Sequence, residues 1–178
     1  MQGVPQIYDP LMALLQAGSQ TIGSIRAAVG LADRPVEDMV QAISLAMSSG
    51  YAHPALPEAV RPNAQAGTQR LNAAICACNA DDNDIGFLAA AAIGSGIQCG
   101  LLETLVVRNC LDTPLPPLDL LVDRVQAALA QSGRSLQRDG VPVSDPVQAR
   151  LVLQQMLESM VVNRLPVLAR LGIGVQVP

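Results

Sequence analysis

The chain has 178 residues, of which 50% are apolar and 15% charged, and its formal net charge is −4. That length and apolar content supply the core of one ordinary domain or two small ones. Eleven scattered arginines, no lysine and an acidic balance exclude a phosphate-binding surface built on clustered positive charge.

Three helical patterns occupy the first fifty residues. Tyr8 to Ala17 sets Leu11, Leu14 and Leu15 on one face, with Asp9 as cap, Pro10 at the first helical position and Gly18 as the stop. Thr21 caps a second helix in which Ile22, Ile25 and Val29 recur at helical spacing before Gly30. The third follows Arg34, with Pro35 in its first turn and Glu37 and Asp38 near the positive end of its dipole. Val36, Met39, Val40, Ile43 and Met47 form its apolar stripe, and Gly50 ends it. Three such helices followed by an extended segment are the pattern of a winged helix-turn-helix. The extended segment is GYAHPALP at 50–57, where Pro54 and Pro57 hold His53 and Leu56 out of helical torsions. A winged-helix-like domain is therefore expected over 1–62.

Residues 58–68 read as a polar connector bearing Pro62 and Gly67, and a second, helical unit is expected over 63–178. A helix from about Gln65 runs to the acidic turn DDND at 81–84. Ile85 to Leu102 is eighteen residues without a formal charge, the length of a membrane span. Its four glycines, serine and glutamine, and the absence of flanking anchors, make it a buried core segment instead. A helix follows from Leu101, then the breaker TPLPP at 113–117, then a helix over about Leu118–Ala130. SLQRDGVPVS at 135–144 places Asp139-Gly140 between two short alternating runs, a β-hairpin signal. Asp145 and Pro146 open a long amphipathic helix through Asn163, and Pro166 bends or restarts it. The expected fold class is mainly α with short β-elements.

Few residues offer chemistry. His53 is the chain's one histidine, and its neighbours Tyr51, Ala52 and Pro54 supply neither a carboxylate nor a nucleophile, so a wing position with a ring hydrogen bond is expected rather than a general base. Cys76 and Cys78 form CxC, and a zinc site would have to recruit Cys99 and Cys110 from other segments, so the thiols are expected in the core. No apolar, cleavable stretch precedes them, which predicts reduced thiols and a cytoplasmic location. GSGIQCG at 94–100 has the look of a nucleotide loop, but a dinucleotide fold needs a strand before the glycines and an acidic residue on the next strand, whereas the helix around Leu105 and a proline cluster follow here, so a tight turn between a strand and a helix is expected. DDND lacks the alternating ligands of a calcium loop. The candidate recognition helix from Pro35 to Ser49 carries only Glu37 and Asp38 as charges, which repel a phosphate backbone.

RLNAAI at 70–75, FLAAAAIGSGIQCGLLETLVV at 87–107, GRSLQRDGVPVSD at 133–145 and RLPVLARLGI at 164–173 resemble the regulatory and C-terminal region of bacterial AdoMet-dependent methyltransferases, including the protein-lysine methyltransferase group. The resemblance covers roughly residues 50–173 and is weaker over the first fifty. It implies a non-catalytic regulatory or protein-interaction module that controls activity, helps dimerise or holds a protein substrate. AdoMet is implied only for a catalytic domain, in cis or in trans; no strand with an acidic end and a GxGxG turn precedes the matched region, and no cofactor residue carries over. The chain alone is accordingly expected not to be an enzyme, to hold no cofactor or metal, and to engage neither nucleic acid nor membrane. Its expected partners are the methyltransferase catalytic domain, a protein substrate or a second copy, met through apolar helix faces and through Tyr51, His53, Pro54 and Leu56. The competing reading is a winged-helix transcription regulator.

Overall fold

A computed structural model describes residues 4–28, 30–80, 85–111, 113–138 and 141–176. The chain divides into two compact units, 1–55 and 56–178. The division falls inside GYAHPALP rather than at residue 62, because Leu56 and the residues after it are bonded into the second unit.

The first unit is three helices, α1 (Pro5–Ala17), α2 (Ile22–Ala27) and α3 (Val36–Ser48). Pro5, not Pro10, takes the first helical position of α1, where a missing N–H costs nothing. Pro10 is carried inside the helix. Thr21 caps α2 as expected: its Oγ1 accepts from Ser24 N–H while Ser24 Oγ accepts from Thr21 N–H. The helix stops at Ala27, short of Gly30, because Ala28 is extended; the chain then turns so that Leu31 enters the core. That core is Ile7, Leu11, Ile25, Leu31, Met39 and Ala42. The buried stripe of α3 is Met39, Ala42 and Ala46, whereas Val36, Val40 and Met47 face outward. Among the described residues of this unit no β-strand is formed, so GYAHPALP is an extended segment without a paired wing.

The second unit opens with a 3-10 turn (Glu58–Val60) that runs directly into α4 (Arg61–Ala80). The expected polar connector is thus helix: Pro62 sits in the first turn, where proline is tolerated, and Gly67 is carried, exposed, inside the helix. The turn DDND at 81–84 lies outside the described residues. The charge-free stretch becomes a hairpin, β1 (Phe87–Ala90) and β2 (Ser95–Gln98), antiparallel with Leu88 opposite Ile97 and Ala90 opposite Ser95. Then come α5 (Leu101–Cys110), α6 (Leu118–Gln131), the short antiparallel pair β3 (Gln137–Arg138) and β4 (Val141–Pro142), α7 (Pro146–Asn163) and α8 (Leu165–Arg170). The β3–β4 pairing flanks Asp139 and Gly140, which themselves lie outside the described residues. Asp145 accepts the Val147 N–H to start α7, and Pro166 restarts the chain as α8.

The fold is therefore mainly helical with small antiparallel β-elements. The core of the second unit joins Leu88 and Ile97 of the hairpin to Val106 and Val107 of α5, Leu121 and Val125 of α6, Leu153 and Leu157 of α7, and Leu168 of α8. No helix among the described residues is long and apolar enough to cross a membrane.

Candidate functional site

Helix α4 buries a polar stripe. Gln65, Gln69, Asn72, Cys76 and Asn79 recur at spacings of four and three, one face of a helix. Its two asparagines bond mainly to backbone, while Cys76 between them joins the hydrophobic core, so apolar periodicity marks the face poorly. Asn72 is 0% exposed; its Nδ2 donates to the carbonyls of Ala89 (2.9 Å) and Ile173 (3.0 Å), and its Oδ1 accepts from Ala89 N–H (2.7 Å). Asn79, two turns on, accepts from Ile85 N–H and donates to Ile85 O and Thr104 Oγ1. Asn72 supplies Ala89 of β1 with the partners a third strand would have given, and Asn79 does the same for Ile85 just before the strand. Buried amides were not among the residues singled out from sequence; their seven-residue spacing on one helix was the available signal.

The Gly-Ser-Gly segment is divided between two structures. Gly94 closes the turn of the β1–β2 hairpin, Gly96 lies in β2, and Gly100 caps α5. Glu103 Oε2 accepts the Gly100 N–H at 2.6 Å, so the chain's own carboxylate occupies the start of α5. The strand-to-helix turn expected from the sequence is present at Cys99–Gly100, between β2 and α5, while Gly94 serves the hairpin turn and Gly96 the strand. Both sheets among the described residues are two-stranded and antiparallel.

Of the expected contact residues, Tyr51 is 73% exposed, and His53 and Pro54 are also exposed, all in the first unit. Among the described residues no hydrogen bond or ion pair engages the His53 ring, contrary to expectation. Leu56 differs from them: it is half-buried in the second unit against Gly94.

A second surface lies along α7. Leu153 and Leu157 face the core, while Val147 (68% exposed), Leu151 (56%) and Val162 (65%) form an outward apolar row. Beside it an open groove of about 490 Å3 runs over Met156, Ser159, Met160 and Asn163. Its end is fixed by Arg164, whose Nε donates to Glu103 Oε1 (2.6 Å) and whose Nη2 donates to the Gln98 carbonyl (3.1 Å). The groove offers methionine and amide surface in the open.

The four thiols are free. Cys76 and Cys78, two apart on α4, point to different sides, so Cys76 is buried and Cys78 exposed. Burial pushes Cys76 up to about 11 against the pull of Arg108. Burial raises Cys99 to about 11, with Glu103 adding to the rise and Arg164 opposing it. Cys110 reaches about 12 through burial, with Cys76 adding to it. All three are protonated near neutrality, which disfavours a nucleophilic role. Among the described residues no three His, Cys, Asp or Glu side chains gather in a metal-holding group.

The chain is similar to the uncharacterized protein sll1526 of Synechocystis sp. (strain ATCC 27184 / PCC 6803 / Kazusa), 26% identical over 172 residues. That match takes in 95% of this chain and 32% of the relative, so the chain spans about a third of the longer protein's length. No family model matches the chain. No solved structure matches it.

Proposed function

We propose that this chain is a non-catalytic regulatory or protein-interaction module of an AdoMet-dependent protein methyltransferase, acting on activity, dimerisation or the holding of a protein substrate. The observation that carries the reading is the proportion of the match: nearly all of this chain is similar to one portion of a polypeptide with room for a further, larger domain. Three of the four segments that resemble methyltransferase regulatory regions also touch one another. Asn72 of RLNAAI bonds Ala89 of β1 and Ile173, and Gly172 of RLPVLARLGI lies against Ala91 and Ala92 of the β1–β2 turn. Contact with the catalytic domain is assigned to the outward apolar row of α7 and to Tyr51, His53 and Pro54, since exposed apolar surface of this kind marks interfaces. In this reading α1 to α3 form a helix-turn-helix-like body with residues 50–55 as its unpaired wing, working in a cytoplasm with reduced thiols.

A winged-helix transcription regulator is the second reading, and it draws on the three helices of the first unit. It is the weaker one because the charges of α3 are Glu37 and Asp38, in its first turn.

Calorimetric titration tests the proposal. AdoMet is expected to give no saturable heat with this chain and a saturable one with the whole Synechocystis relative. One-to-one binding by this chain, or none by the relative, overturns it.

A further inference from the structure

We infer that the β1–β2 turn, Ala91–Gly94, is a latch that holds the segment entering the second unit and couples it to the turn that follows α8. Three features converge on it. Leu56 N–H donates to the Ala92 carbonyl at 2.8 Å, and the Leu56 carbonyl in turn accepts from Arg61 Nε at 2.9 Å. The Leu56 side chain lies over Gly94, where an added Cβ would meet its Cδ1, Cγ and Cδ2 at 3.0, 3.1 and 3.2 Å. Gly94 also has φ +64°, which a side chain rarely adopts. On the other side of the same residue, Ala92 N–H donates to the Leu171 carbonyl at 3.0 Å. Gly172 (φ +74°) closes against this turn, with Ala91 Cβ 3.1 Å from where its own Cβ would be.

Ala92 is thus held by both of its backbone groups, one by the incoming segment and one by the C-terminal turn. Pro54 and Pro57 stiffen the chain on either side of Leu56, so the strand-like approach is prearranged and only one residue has to be pinned. A notch with no Cβ, filled by one leucine, gives the contact a specific partner. Displacement of either strap removes one of the two anchors of Ala92 and so loosens the other. The latch is a property of the second unit and stands independently of the methyltransferase reading.

Hydrogen–deuterium exchange of the full chain at the Leu56 amide tests it. Leu56→Ala and Gly94→Ala are each expected to speed exchange there about tenfold or more, by opening the local structure without global unfolding. Gly172→Ala is expected to do the same from the other side of Ala92. Gly133→Ala is the matched control: Gly133 shares φ +64° but has nothing within 4 Å, so it carries the backbone strain without the notch and is expected to leave Leu56 unchanged. The inference is overturned if Leu56 exchanges in the unsubstituted chain as fast as an unprotected amide. It is overturned equally if Leu56→Ala leaves the rate unchanged, or if Gly133→Ala speeds it as much as Gly94→Ala does.

Discussion

Asn72 shows how one side chain is used in the second unit. It is fully buried and makes three hydrogen bonds to backbone from two distant segments, β1 and the turn after α8. Removing it leaves two carbonyls and an N–H without partners, each an uncompensated burial. Asn72→Ala is expected to destabilise the second unit by about 3 kcal/mol, near the upper end for a buried polar loss. Asn72→Asp is expected to be worse, because a carboxylate facing the Ala89 and Ile173 carbonyls has no donor to offer them. Urea denaturation of both variants checks the order; an Asp variant as stable as the Asn chain would remove this role. The buried thiols give a pH signature. Their folded values, about 11, 11 and 12, stand above the ordinary 9.0, so below about pH 9 both folded and unfolded thiols are protonated and the stability is fully present. Above pH 9 the unfolded thiols ionise first, and stability is lost progressively up to about pH 12. Denaturation midpoints at pH 8.5 and 10.5 are expected to fall less in Cys110→Ala than in the unsubstituted chain.

At the scale of elements, α7 separates packing from contact. Leu153 and Leu157 are 0% exposed and four residues apart, whereas Leu151 stands on the opposite side, 56% exposed. Leu157→Ala is expected to cost roughly 2–5 kcal/mol and Leu151→Ala less than about 0.5 kcal/mol, read from the same denaturation curves. Equal losses would mean that the outward row is packed after all. The long helices were legible in the sequence because each carries its own start and stop, such as Asp145-Pro146 before α7 and TPLPP before α6. The hairpin β1–β2 was not: its strands are four residues each and its alanines and glycines alternate too weakly to show a period of two. α4 was legible only from its second turn onward, because Pro62 and Gly67 read as breakers when both sit where the helix tolerates them. The buried face of α4 was missed for another reason. Its polar residues hydrogen-bond to backbone that is distant in sequence, and a pattern of apolar spacing carries no trace of that.

The whole chain is two units joined within GYAHPALP, and its outward apolar residues lie on both: Tyr51, Val36, Val40 and Met47 on the first, Val147, Leu151 and Val162 on the second. Of the contact residues expected from sequence, Tyr51, His53 and Pro54 remain available to a partner, and Leu56 is committed to Gly94. That division was hidden because the two prolines make the stretch read as one extended piece, whereas only Leu56 finds a carbonyl within the second unit. The central claim is that these surfaces serve another part of a larger methyltransferase assembly. The most direct test is the solution mass, by light scattering over a concentration series, of this chain mixed with the remaining portion of the Synechocystis relative. The account predicts a discrete complex heavier than the 18.6 kDa chain, weakened at least tenfold by Leu151→Asp with Val162→Asp. A chain that keeps its own mass at high micromolar concentrations of that portion would contradict it.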